Sequence, residues 1–184
     1  MFKTFDFDIK EAFMRFIHCT QKLIKEIDPK INSKGEEREV KGLGDWYANI
    51  FGVDQQAMII FTNVKTLYTF IYPNVYRDNI DYFADTFEFG LNRSLQNIGL
   101  DKELINQILN EYQEIAIVKT NSRSILATMN DHLFHFDGHI EKAGEVTQGI
   151  VDRFNINILN LPSGAMDYMT PREKFEEILK SDFK

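Results

Sequence analysis

Three clusters in this chain carry side chains able to do chemistry. The first is "TNSRS", residues 120–124, where a strand-like run gives way to a helical one. A helix start presents unpaired N–H groups and partial positive charge, so it draws anions. Arg123 is unfavourable there unless a carboxylate or bound anion lies close, and its planar fork suits carboxylate or phosphate. Arg123 and Ser124, with Ser122 and the helix amides, are candidate anion ligands. The competing reading pairs Arg123 with a carboxylate of the chain itself, Asp45 or Asp131. The second cluster is "DHLFHFDGH". His132, His135 and His139 stand at i, i+3 and i+7, on one flank of a helix, and could hold zinc or another borderline metal with Asp131 or water. Gly138 opposes this, because it can end the helix before His139. The third is "LGDWYANIF", residues 43–51, with the chain's single tryptophan. In an extended strand Trp46 and Tyr47 point to opposite sides and Asn49 shares Tyr47's side. Asp45, Asn49, Asn63, Thr66, Asn130 and Asp131 are short polar residues set among apolar ones. They either satisfy one another in a buried network or line a pocket with Trp46 as a stacking wall.

No catalytic signature accompanies them. The chain has no GxSxG elbow, no HExxH pair and no glycine-rich phosphate loop after a strand. The reading that follows is a small-molecule-binding or protein-interaction module with a polar and aromatic site. Its candidate residues are Trp46, Asn49, Asn63, Arg123, Ser124, Asn130 and Asp131. The alternative is an enzyme acting on a phosphorylated or carboxylated small molecule, metal-dependent if the histidines converge. These residues leave any cofactor unspecified.

Periodicity assigns the elements that must position these residues. "FMRFIHCT" reads as a strand and "TQKLIKEI" as a short helix capped by Thr20. Residues 28–44 form a long polar loop punctuated by Pro29, Gly35, Gly42 and Gly44. "WYANIF" reads as a strand. Residues 57–72 read as a hairpin, with Asn63 suited to a left-handed turn conformation. "MIIF" is apolar throughout, so that strand needs cover on both faces. Phe83, Phe87, Leu91, Leu95 and Ile98 make one helical stripe stopped by Gly99. Asp101 caps a helix whose Leu104, Ile105, Ile108, Leu109 and Tyr112 share a face. "EIAIVKT" is a strand, and Ile125, Leu126, Met129, Leu133 and Phe136 return to helical spacing. Thr170, Pro171 and Glu173 spell a capping box before the stripe Phe175, Ile178 and Leu179. The order predicts an α+β domain spanning 1–184. Its sheet is expected to be mainly antiparallel and covered by several helices, with residues 1–13 as an N-terminal extension.

Composition narrows the class. Apolar residues at 43% and charged ones at 27% are globular values and exclude a disordered chain. A net charge of -7 without a Lys/Arg stripe removes the electrostatic basis for sequence-independent nucleic-acid binding. One cysteine, Cys19, allows no internal disulfide and fits a reducing cytoplasm. No signal peptide and no run near the ~20 apolar residues of a membrane span is present, so a soluble cytoplasmic protein is expected. Sixteen phenylalanines fill a core or leave some rings as a partner patch, with a homo-oligomer as one outcome.

"WYANIF", "FTNVKTL" and "RSILATMND", in this order, resemble a bacterial family known only as a domain of unknown function. The resemblance extends to "CTQKLIK" upstream and "LPSGAMDYMTPREKFEEIL" downstream, covering most of residues 14–180. The chain departs from the family's pattern at Ala127, where glycine is frequent, and at "SKGEEREVK", where a proline-rich link is frequent. The resemblance implies that the three motifs belong together. It carries no activity, cofactor or catalytic residue.

Overall fold

The computed structural model describes residues 14–27, 40–75 and 82–183. The expected N-terminal extension, 1–13, and residues 28–39 of the polar loop lie outside them. In chain order the elements are β1 (Arg15–Cys19), α1 (Gln21–Ile27), β2 (Trp46–Val53), β3 (Gln56–Asn63) and β4 (Thr69–Tyr72). They continue as α2 (Phe83–Asn97), α3 (Lys102–Asn110), β5 (Ile115–Lys119), α4 (Arg123–Ala143), α5 (Gln148–Ile158) and α6 (Pro171–Asp182). The class is α+β, as the pattern predicts. The five strands lie in the order β4-β3-β2-β1-β5.

The sheet is mixed rather than mainly antiparallel. β2, β3 and β4 form an antiparallel meander, but β1 runs parallel to both β2 and β5. The cause lies in the connections: β1 reaches β2 through α1 and residues 28–45, and β4 reaches β5 through α2 and α3, whereas tight turns join β2, β3 and β4. A crossover of that length is what parallel strands need. The predicted hairpin joins β3 to β4, and Met58 through Phe61 are all buried. Its left-handed residue is Leu67, φ +54°, not Asn63, which stays in β3 and shapes the turn with its side chain. A second hairpin joins β2 to β3 through Asp54 and Gln55, both at positive φ.

Side chains alternate across the sheet into two layers. One holds Phe61 and Phe70, stacked 5.0 Å apart, under Phe87 of α2. Gly90 of α2 permits that approach, since a Cβ there would sit 2.6 Å from the Phe70 ring. The other layer packs Phe51 edge-on against Phe136 of α4, which meets Phe154 of α5. α5 lies along the outer edge of β4. There the Asn155 side chain donates to Ile71 O and accepts from Ile71 N at 3.0 and 2.9 Å. A single amide thus stands in for a neighbouring strand and closes an edge open to aggregation.

The caps follow the sequence. Asp101 accepts from Leu104 N, Thr20 from Leu23 N, and Thr170 and Glu173 form the full capping box. Gly138 does not end α4, which runs on to Ala143 and stops at Gly144 with φ +78°. Phe136 and Ile140 are buried on either side of Gly138, and their burial carries the helix through it. Among the described residues most rings fill the core, whereas Tyr82, Phe89, Phe134 and Tyr168 stand exposed. Among the described residues no helix is long and apolar enough to cross a membrane.

Candidate functional site

The Trp46 strand, the hairpin end and the start of α4 come together at β2, but on different faces. Trp46, first residue of β2, pairs with Asn63, last residue of β3. Its ring is fully buried among Tyr68, Phe70, Phe87 and Tyr112. Its Nε1 donates to the Tyr112 hydroxyl at 2.8 Å, which in turn donates to Gly44 O at 3.0 Å. Burial raises Tyr112 well above the usual phenol range, so this relay stays neutral.

Asn63 is equally inaccessible and uses both ends of its amide. Nδ2 donates to Leu43 O at 2.9 Å and Asp45 O at 3.3 Å. Oδ1 accepts from Lys65 N, Thr66 N and Thr66 Oγ1 at 3.1, 3.0 and 2.9 Å. This side chain therefore ties the 64–68 turn to the strand that enters at β2. An amide is required because only it has donors on one side and an acceptor on the other. Lys65 extends the clamp by donating to Val40 O and to Gly42 O, the latter at 2.7 Å. Leu43 N donates to Glu111, whose carboxyl burial pulls upward in pKa against the opposing charge of Arg15.

The next residue faces the other layer. Tyr47 stacks on His18 with ring centroids 4.7 Å apart. Its hydroxyl donates to Asn121 Oδ1 and accepts from the amides of Asn121 and Ser122 at 3.3 and 2.9 Å. His18 lies 3.9 Å from Asp45, whose other oxygen accepts from Phe16 N at 2.8 Å. Asn49, half-buried on the Tyr47 side, accepts from Thr20 Oγ1 at 2.7 Å. Asp45, Asn49, Asn63 and Thr66 are therefore internally bonded. Trp46 meets rings rather than a cavity, and a planar ligand could reach it only by displacing them.

Arg123, Ser124, Asn130 and Asp131 have a different setting: all four are exposed on the outward side of α4. Among the described residues Arg123 makes no ion pair, so neither Asp45 nor Asp131 neutralises it. Buried Trp46 and Asn63 and exposed Arg123 cannot touch one ligand in this conformation. The two amides just ahead of α4, those of Asn121 and Ser122, are taken by Tyr47, and of the helix amides Ile125 N is taken by Ser122 Oγ, the N-cap.

The histidines separate in the same way. His132 is half-buried with Nδ1 unpartnered, and burial, then His135, lowers its pKa to about 4. His135 is exposed, and His139 packs 5.8 Å from Phe154. Among the described residues no three His, Cys, Asp or Glu side chains group to hold a metal, so His132, His135 and His139 do not close on a common point.

The reading of residue types missed the Tyr47 hydroxyl, Tyr112, Lys65 and, on the outside, Phe134, which is 77% exposed. Phe134 did carry a signal: its spacing from Met129 and Phe136 sets it off the buried stripe of α4. No curated protein matches the chain. A family model described as "Domain of unknown function (DUF6933)" matches residues 16–174, most of the length, and the chain belongs to that family.

Proposed function

We propose that the protein is an interaction module whose partner face is the outward side of α4. The observation that carries this reading is the exposure, on one helix, of Arg123, Ser124, Asn130, Asp131 and Phe134 together. Around Asn63, Tyr47 and Asn155, by contrast, the polar side chains are bonded within the fold. A bare phenylalanine and an unpaired arginine on one helix face are the residue types enriched at interfaces, where Arg and aromatic side chains supply much of the binding energy. The small-anion reading is weaker. Ser122 Oγ already caps the Ile125 amide, and the amides of Asn121 and Ser122 ahead of the helix are bonded to Tyr47.

The test places a photo-crosslinking amino acid at position 130, with position 107 on exposed α3 as control, in cells producing the protein. Defined adducts from 130, absent from 107 and lost on Phe134→Glu, are the expected result. Equal labelling from both positions, or none from 130, would overturn the proposal.

A further inference from the structure

The outward face of α4 is complementary to itself. At about 100° per residue, Arg123, Ala127, Phe134, Gly138 and Glu141 fall within roughly 60° of one another, opposite buried Met129 and Phe136. Small residues flank the exposed ring: Ala127 is exposed, and a Cβ built on Gly138 would meet nothing within 4 Å. A second ring therefore has room to lie against this helix.

The charges are placed against the helix's own dipole. Arg123 is the first residue of α4, whose first turn holds no acid, and Glu141 stands in the last turn beside Lys142. Arg123 at the positive end and Glu141 at the negative end are both unfavourable for an isolated helix. Neither forms an ion pair among the described residues. An antiparallel second copy reverses both relations, because each end then lies beside the opposite end of its neighbour.

We infer that two copies of this chain pair α4 against α4, antiparallel, about a two-fold axis at Phe134, with each Arg123 facing Glu141 of the other copy. This rests on the proposed function and names the partner. At ~1.5 Å per residue Arg123 lies about 16 Å to one side of Phe134 and Glu141 about 10 Å to the other. Antiparallel pairing brings them to about 6 Å along the axis, a gap these long side chains span. Asp131, beside the seam, falls about 9 Å from its own copy, where salt screens most of the repulsion. A two-fold contact is self-complementary in this way by construction. One helix pair covers less than the ~800 Å² per partner of a standard interface, so dissociation in the micromolar range is expected.

Sedimentation velocity of the full chain between about 1 and 200 μM reads the result. A shift from one to two chain masses is expected. Phe134→Glu and Arg123→Glu should each stay monomeric across the range with unchanged far-UV circular dichroism. Arg123→Glu suits the dipole of α4, so its loss of the dimer would not come from unfolding. Arg123→Glu combined with Glu141→Arg should restore the dimer, and Phe134→Cys should oxidise to a covalent dimer, since Cys19 is buried. A wild-type monomer at 200 μM overturns the inference, as does a dimer that survives Phe134→Glu. A double variant that stays monomeric while the singles dissociate overturns the Arg123–Glu141 register. If the chain is monomeric yet adducts from position 130 persist with another protein, the second copy is excluded and the interaction module stands.

Discussion

The Asn63 turn and the outward face of α4 are built from the same kinds of residue and end in opposite states. Each offers a short amide, an aromatic ring and a cationic side chain. At the turn, Asn63 makes five hydrogen bonds, Trp46 is ringed by four aromatic side chains, and Lys65 reaches two carbonyls. On α4, Asn130 and Arg123 face water, and Phe134 is 77% exposed. Residue type does not separate wall from contact surface. The number of internal partners does, because a group already bonded inside the fold gains little from a ligand, whereas a bare one gains a full interaction.

Substitutions sharpen that contrast, and the largest effects belong to the interior. Trp46→Ala removes a ring buried on every side and leaves the Tyr112 hydroxyl without its donor. A loss of about 3–5 kcal/mol in urea unfolding is expected. A loss under ~1 kcal/mol would mean that the four rings around Trp46 do not pack as described.

Tyr47→Phe is the intermediate case, since it deletes one oxygen and leaves the amides of Asn121 and Ser122 without their acceptor. A destabilisation of about 1–3 kcal/mol is expected, with faster hydrogen exchange confined to the start of α4. Unchanged exchange at those two amides would remove Tyr47 as the link between β2 and α4.

Acid probes the boundary between the regions through His132. Its folded pKa, about 4, lies below the ordinary 6.5, because burial first and His135 second disfavour the charged ring. The unfolded chain therefore binds a proton that the folded one refuses. The His132 contribution is fully present above pH 6.5 and is lost as pH falls toward 4. Replacing His132 with Gln should flatten the dependence of stability on pH in that window, read by denaturation at a series of pH values. An unchanged slope would show that His132 is solvated in the folded state.

The smallest effect is expected outside. Arg123→Ala should change stability by no more than ~0.5 kcal/mol, because the side chain is exposed and makes no ion pair among the described residues. A cost above ~1.5 kcal/mol in the same unfolding assay would give Arg123 a structural role and erase the contrast.

Local physics was legible in the sequence wherever one segment decides its own conformation. Thr170 and Glu173 form their capping box within a single turn, and Asp101 caps by the same rule. α5 carried comparable signals, Thr147 as cap and Ile150, Val151, Phe154 and Ile158 as stripe, but its glycine and asparagines weakened them. Asp54 and Gln55 gave little warning of a left-handed turn, because glutamine seldom adopts that conformation. At the candidate site the alternation of Trp46, Tyr47 and Asn49 was readable, while the partners of each side chain were not. Tyr47 meets Asn121 and Ser122 across more than seventy residues of chain, and no spacing rule links them.

By itself, then, the sequence determined the helix caps, the β3–β4 hairpin and the α+β class, since these arise from contacts a few residues apart. Tertiary structure alone decided that β1 lies parallel between β2 and β5, that Asn155 closes the edge of β4, and that Trp46 is a wall while Phe134 is bare. Burial is a property of what packs on top, and a strand or helix does not encode its own cover.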